Sequence, residues 1–228
     1  MKRSIALIIG FCILWLVDIS AQDQDLRFKH LTVEDGLSQN TVNAVIKDDR
    51  GFIWIGTNDG LNRYDGYEFT VYRRIPGDTC SLSNNKVYSI LEDDRGDLWI
   101  GTANGLNRYD FKKDYFQRYL NQPGKDTSLS HNFVRYLYED SRNNLWAGTL
   151  GGGLNLYDRQ NDRFIPVQVN ENNELTNVTA IIESSGANLW IGSQQPGIYH
   201  YNFDTRSAEY YPFPNVPQDK KRYNKNLY

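Results

Sequence analysis

The stretch Asp48-Asp49-Arg50-Gly51-Phe52-Ile53-Trp54-Ile55-Gly56-Thr57 returns as Asp93-Asp94-Arg95-Gly96-Asp97-Leu98-Trp99-Ile100-Gly101-Thr102. It comes back twice more in looser form around Trp146 and Trp190, so the four Trp anchors are spaced 45, 47 and 44 residues apart. Twelve positions before each Trp stands a valine: Val42, Val87, Val134 and Val178. Two positions after it stands a glycine, Gly56, Gly101, Gly148 or Gly192, followed by Thr57, Thr102, Thr149 or Ser193. A fixed period of this size is the mark of a repeat architecture.

Each repeat reads as four strands. In the first, Thr41 to Lys47 is followed by the turn Asp48-Asp49-Arg50-Gly51, then Phe52 to Thr57, the turn Asn58-Asp59-Gly60, and Leu61 to Tyr64. Asp65-Gly66 turns the chain again into Tyr67 to Arg73. Asp-Gly and Asn-x-Gly suit hairpins, because a positive φ costs least in Gly, Asn and Asp. The strands of a repeat are therefore antiparallel neighbours. Strand one is a nearly continuous apolar run (Val87-Tyr88-Ser89-Ile90-Leu91), which predicts cover on both faces. Four strands in about 45 residues, with both faces covered, is the spacing of a propeller blade. The expected fold is all-β: four consecutive four-stranded antiparallel β-propeller blades, forming an incomplete propeller. Trp54, Trp99, Trp146 and Trp190 then pack between adjacent sheets, with Gly56, Gly101, Gly148 and Gly192 allowing close approach. The tyrosine ending strand three (Tyr64, Tyr109, Tyr157, Tyr201) reads as an inter-blade contact.

The first residues are a different object. Lys2 and Arg3 precede the apolar run Ile5 to Val17, and Ile19-Ser20-Ala21 offers a small-residue cleavage site before Gln22. This is the layout of a secretory signal peptide over 1–21, with cleavage near Ala21 and a periplasmic or secreted product. The expected blades occupy 22–217, at about 38–80, 81–127, 128–172 and 173–217. Residues 218–228 form a basic tail or the truncated start of another blade. The formal charge of −3 gives no reason to expect nucleic acid or anionic lipid as a partner. Cys12 falls in the signal peptide, leaving Cys80, so packing and strand pairing alone hold the exported fold.

Few groups carry chemistry. Asp48-Asp49 and Asp93-Asp94 read as turns solvated by carboxylates, not as catalytic pairs, since adjacent acids do not span a cleft. Gly151-Gly152-Gly153 lacks the Lys-Ser/Thr and helix of a phosphate loop and reads as a widened hairpin. No cofactor, metal set or catalytic constellation emerges. The ligand expectation is positional. The loop entering strand one and the turn between strands two and three lie at one end of each blade, and polar groups gather there. Asn40, Asn85, Asn132 and His131 come from the entering loops. Asn58, Asp59, Asn104, Gln194 and Gln195 come from the turns, and Arg135 and Tyr136 follow on an inner strand. Amide and aromatic groups suit sugar hydroxyls and sugar faces.

The motifs D-x-x-G-x-hydrophobic-W-I-G-T, G-L and a following Tyr resemble the two-component regulator propeller repeat. Repeats one and two match closely; repeat three carries Asn143-Asn144 and Ala147, and repeat four Ser184-Ser185-Gly186 and Gln194-Gln195-Pro196. The resemblance implies the N-terminal periplasmic region of a hybrid two-component sensor that detects oligosaccharides. A histidine kinase and other sensor domains would then lie in a longer parent chain. An unclosed stack also leaves end faces open to association, including a homodimer. A propeller-based polysaccharide hydrolase or lyase, and a secreted protein-interaction platform, stay open as alternatives.

Overall fold

The computed structural model describes residues 28–169 and 175–213. The calls on 1–21 and 218–228 lie outside the described residues. The chain divides at His30, and all sheets belong to the unit that begins with Leu31.

Four antiparallel sheets follow one another, each with its strands in sequence order. Blade A holds β1 (Val42–Lys47), β2 (Ile53–Thr57), β3 (Gly60–Tyr64) and β4 (Phe69–Tyr72). Blade B holds β5 (Val87–Glu92), β6 (Leu98–Thr102), β7 (Gly105–Asp110) and β8 (Tyr115–Tyr119). Blade C holds β9 (Val134–Glu139), β10 (Leu145–Thr149), β11 (Gly153–Asp158) and β12 (Arg163–Val167). Blade D holds β13 (Val178–Glu183), β14 (Leu189–Ser193), β15 (Gly197–Asn202) and β16 (Ser207–Pro212). Neighbouring blades meet through their first strands, β1 with β5, β5 with β9 and β9 with β13, so these strands are innermost. Blades A and D do not close into a ring, as an incomplete propeller requires.

The repeated residues explain the stacking. Val87, Val134 and Val178 are fully buried, each against the glycine of the blade before. A Cβ on Gly56 would come within 2.5 Å of Val87 Cγ1, and one on Gly148 within 2.4 Å of Val178 Cγ1. The indole of Trp54 meets Tyr109 and Phe111 of blade B edge-on, at ring separations of 5.3 and 6.0 Å. Trp99 meets Tyr157 at 4.8 Å, and Trp146 meets Tyr201 at 5.7 Å. Three of the four strand-three tyrosines thus make the expected inter-blade contact. Tyr64 instead packs on Phe69 of its own blade.

Two expectations need correction. The turn carboxylates are not solvated. Asp48, Asp93 and Asp140 are buried, and each accepts the indole N–H of its own blade's Trp at 2.7, 3.0 and 2.8 Å. Their second oxygens accept the main-chain N–H of Phe52, Asp97 and Asn144, which closes the turn. A buried donor left unpaired costs about 1–3 kcal/mol, so the acid and the indole are kept as a pair. Only the second acids, Asp49 and Asp94, face water. Cover on both faces also fails at the ends of the stack. Val42 and Val45 are 44% and 57% exposed, because no blade precedes β1 among the described residues. At the other end Trp190 is only half-buried and Ile182 is 62% exposed.

A further bond ties the blades in order. The main-chain N–H of Asp49 donates to Glu92, that of Asp94 to Glu139, and that of Ser141 to Glu183, each at 2.8 Å. The last residue of strand one thus holds the turn of the preceding blade. Lys47 stands at that position in blade A. The junction of blades B and C is the most polar. Arg159 occupies the place held by Phe111 in blade B and Phe203 in blade D, where Arg50 and Arg142 stack on the ring. It reaches Asp93 at 2.8 Å and Glu139 at 2.7 Å. Burial, with the nearby charges of Asp93 and Asp94, pushes the Glu139 carboxyl up to about 7.

Candidate functional site

Strand one of each blade opens with a β-bulge. Val87 pairs with Thr102 and Ser89 with Gly101, which leaves Tyr88 as the extra residue. The same slip frees Asn43 in β1, Arg135 in β9 and Thr179 in β13. A bulge re-aims one side chain out of the ladder. Here the re-aimed side chains sit on the innermost strands, one per blade, and those of Asn43 and Tyr88 reach the next blade. Asn43 Nδ2 donates to Val87 O at 2.8 Å. Tyr88 lies against Phe133, ring to ring at 4.8 Å, and the Arg135 guanidinium stands 5.9 Å from the Tyr88 ring. Arg135 is exposed, while Tyr88 and Phe133 are half-buried.

The entering loops and the β2–β3-type turns do share one end of the stack: Gly60 N–H donates to Asn85 O at 2.7 Å, and Gly105 N–H to Asn132 O at 2.6 Å. The sequence-selected residues there differ in what they are free to do. Asn40, Asn85 and Asn132 use their side-chain oxygens on the main-chain N–H groups of Val33, Arg74 and Asn121. Asp59 pairs with Arg73 at 3.1 Å and accepts from Asn85, and Asn58 accepts from Asn43. His131 Nδ1 accepts the Phe133 N–H at 3.1 Å, and the ring lies over Gly151. Tyr136 packs into the apolar cluster shared by blades C and D. Gln195 accepts the Tyr199 hydroxyl at 3.1 Å. Asn104 and Gln194 are exposed at their turns. Of the selected residues, Arg135 is the one standing among the bulge side chains of the inner rim. Tyr88 and Phe133 beside it, and Lys86 at the position before the blade B valine, were not selected. Their signal was available: the position after each strand-one valine reads Asn, Tyr, Arg, Thr, and the position before it Thr, Lys, Phe, Asn, while the valine itself never changes.

A concavity of about 320 Å³ lies along β8 and β12 and includes Arg118, Lys125 and Asp162. Its strongest groups are already engaged. Arg118 donates to the carbonyls of Asp78, Ser81 and Leu82, and Asp162 accepts from Tyr119, Tyr157 and Gln117. Burial, followed by the bond to Asp162, raises the Tyr157 hydroxyl to about 12. These contacts brace two blades. Among the described residues, no group of three His, Cys, Asp or Glu side chains could hold a metal.

Stacked four-stranded sheets, keyed by a Trp–Gly pair and open at both ends, define a run of β-propeller blades. Residues 36–59, 81–104 and 128–151 match the two component regulator propeller repeat. Blade D departs from that pattern, with Ser184 and Tyr199 where the others carry the buried Asp and an Asn. A solved structure described as the extracellular domain of a hybrid two component system, BT3049 of B. thetaiotaomicron, is 25% identical with a TM-score of 0.73, over 82% of this chain and 26% of that one. The corresponding domain of BT4673 from the same organism is 27% identical with a TM-score of 0.66, over 81% and 27%. A histidine kinase, P4, of Formosa agariphila is 42% identical over 66 residues, 29% of this chain and 5% of the kinase. The chain thus spans about a quarter of the solved relatives and a small part of the kinase. Virginiamycin B lyase of Staphylococcus aureus, 14% identical with a TM-score of 0.62 over 85% of this chain and 62% of that one, shares the fold alone.

Proposed function

We propose that this chain is a ligand-sensing propeller portion of a hybrid two-component sensor, exported to the periplasm after removal of residues 1–21. Its ligand is an oligosaccharide, and it relays occupancy to a histidine kinase outside this chain. The reading is carried by the likeness to extracellular domains of hybrid two component systems over four-fifths of its length. The inner strands support it physically. Their bulges present one variable side chain per blade on a scaffold whose other positions are fixed by stacking. A ligand bridging neighbouring blades would bias their relative tilt, which a partner domain can read. The chain itself acts by binding, not by turnover.

The test is a thermal-shift and calorimetric screen of the purified chain against a panel of oligosaccharides. A true ligand at 100 times its Kd stabilises the fold by about 2.7 kcal/mol. That corresponds to a rise in Tm of about 5–10 °C for a domain of this size. Absence of any carbohydrate response would refute the sensing role. Release of shorter products from a polysaccharide would favour a propeller hydrolase or lyase instead.

A further inference from the structure

Across the junction of blades B and C, Tyr88 lies against Phe133 with Arg135 beside it, a cation next to two rings, and Lys86 stands two positions before Tyr88. The guanidiniums of Arg108, Arg159 and Arg163 are held by carboxylates. Arg135 and Lys86 make no ion pair among the described residues, and both are exposed. The chain as a whole carries more acids than bases, 28 against 25. Yet the eight rim positions, two per blade, contain no Asp or Glu, and Asp59, the one acid in the turns between strands two and three, is paired with Arg73. A carboxylate-free rim with two unpaired cations attracts an anion. The fork of an arginine fits a carboxylate or sulfate through two parallel hydrogen bonds. The tilted Tyr88–Phe133 pair offers an apolar platform on which the C–H face of a pyranose can lie. These positions change from blade to blade while the adjoining valine does not.

We infer that the inner rim formed by Tyr88, Phe133 and Arg135 binds an acidic sugar unit, its ring on the aromatic pair and its carboxylate or sulfate ester on Arg135. This rests on the oligosaccharide reading above and narrows it to anionic glycans.

The experiment is titration calorimetry of the full chain with three probes: tetragalacturonate, a κ-carrageenan tetrasaccharide and cellotetraose. They offer a uronate, a sulfate ester and no charge. The expected result is binding of one or both acidic probes, with cellotetraose at least tenfold weaker. Arg135→Gln and Tyr88→Ala should each lower the acidic affinity tenfold or more, the first with Tm unchanged because Arg135 is exposed, the second with at most a small fall in Tm from the lost contact with Phe133. Raising the salt from 20 to 500 mM should weaken binding of the wild-type chain and affect Arg135→Gln less. The stronger acidic probe tells a uronate from a sulfate site. If cellotetraose binds as tightly as the acidic probes, or if Arg135→Gln leaves the affinity unchanged, the anionic rim is overturned and the oligosaccharide reading stands. If no probe binds, and the wider panel gives no response either, both are overturned.

Discussion

Replacing Gly148 by alanine tests directly whether the post-Trp glycine exists to let blades approach. Neither Gly148 nor Gly192 has a left-handed backbone, so alanine fits both conformations and only the surroundings differ. At Gly148 the new methyl would lie 2.4 Å from Val178 Cγ1 and 2.8 Å from Val178 Cβ. Normal carbon contact is about 3.5–4.0 Å, so blades C and D must part by about 1 Å. Val178 is fully buried and β-branched, and it has no free rotamer to retreat into. Overpacking of this kind costs about 1–3 kcal/mol. The reduced entropy of the unfolded chain returns about 0.4–1 kcal/mol. A net loss of about 1–2 kcal/mol lowers Tm by about 2–8 °C. Gly192 is the internal control, for its nearest neighbours are Thr179 Oγ1 at 3.0 Å and Ala180 Cβ at 3.4 Å, both within its own blade. Gly192→Ala should stay within about 0.5 kcal/mol of the parent. Paired urea and thermal melts of the two variants decide the matter. Equal shifts would refute the claim that blade approach selects this glycine.

Asp140→Ala removes the acceptor of the buried Trp146 indole N–H, and should destabilise the chain by about 1–3 kcal/mol in urea melts followed by tryptophan fluorescence. Trp99→Ala should cost about 3–5 kcal/mol as a core truncation. Trp190→Ala should cost clearly less by the same assay, because that indole is half-buried with no blade beyond it among the described residues. Glu139 titrates near 7 when folded, above its ordinary value near 4.5. The folded state therefore holds the proton more tightly, so the contribution of Glu139 to stability is full below about 4.5 and is lost as pH rises through about 7. Melts of wild type and Glu139→Gln between pH 4.5 and 8 should show a smaller decline in the variant. An identical profile would remove Glu139 as its source.

The stack was legible because its determinants recur at fixed offsets: Val, Trp and Gly return in all four repeats and make the same contact at three junctions, and the turns carry Asp, Asn and Gly where hairpins need them. Other features were hidden for physical reasons. The burial of Asp48 and Asp93 could not be read from a carboxylate in a turn, since the indole that pairs with it lies six residues away across a hairpin. The exposed face of β1 looks in sequence like the covered face of β5, because Val42 and Val45 match Val87 and Ile90 and only the neighbouring blade differs. The glutamate bonds between blades join residues more than forty positions apart. The loop asparagines drew attention as hydrogen-bonding groups, and the structure has Asn40, Asn85 and Asn132 binding their own loops. Tyr88 was read as one more apolar residue of strand one. The bulge that turns it outward shows in sequence only as a position where the four repeats disagree.

The backward-reaching glutamates bear on how such an array grows. Each blade from B onward brings an acceptor to the blade before it, and the turns of blades A, B and C each offer a donor to the blade after. A duplicated blade inserted between two others would arrive with both halves of this exchange, so the chain could lengthen by tandem copying without leaving a buried group unpaired. None of that exchange involves the side chains at the bulge. Copies are thus free to diverge at the rim from the moment they appear, and a new specificity can accumulate one blade at a time while the joints that carry the fold stay unchanged.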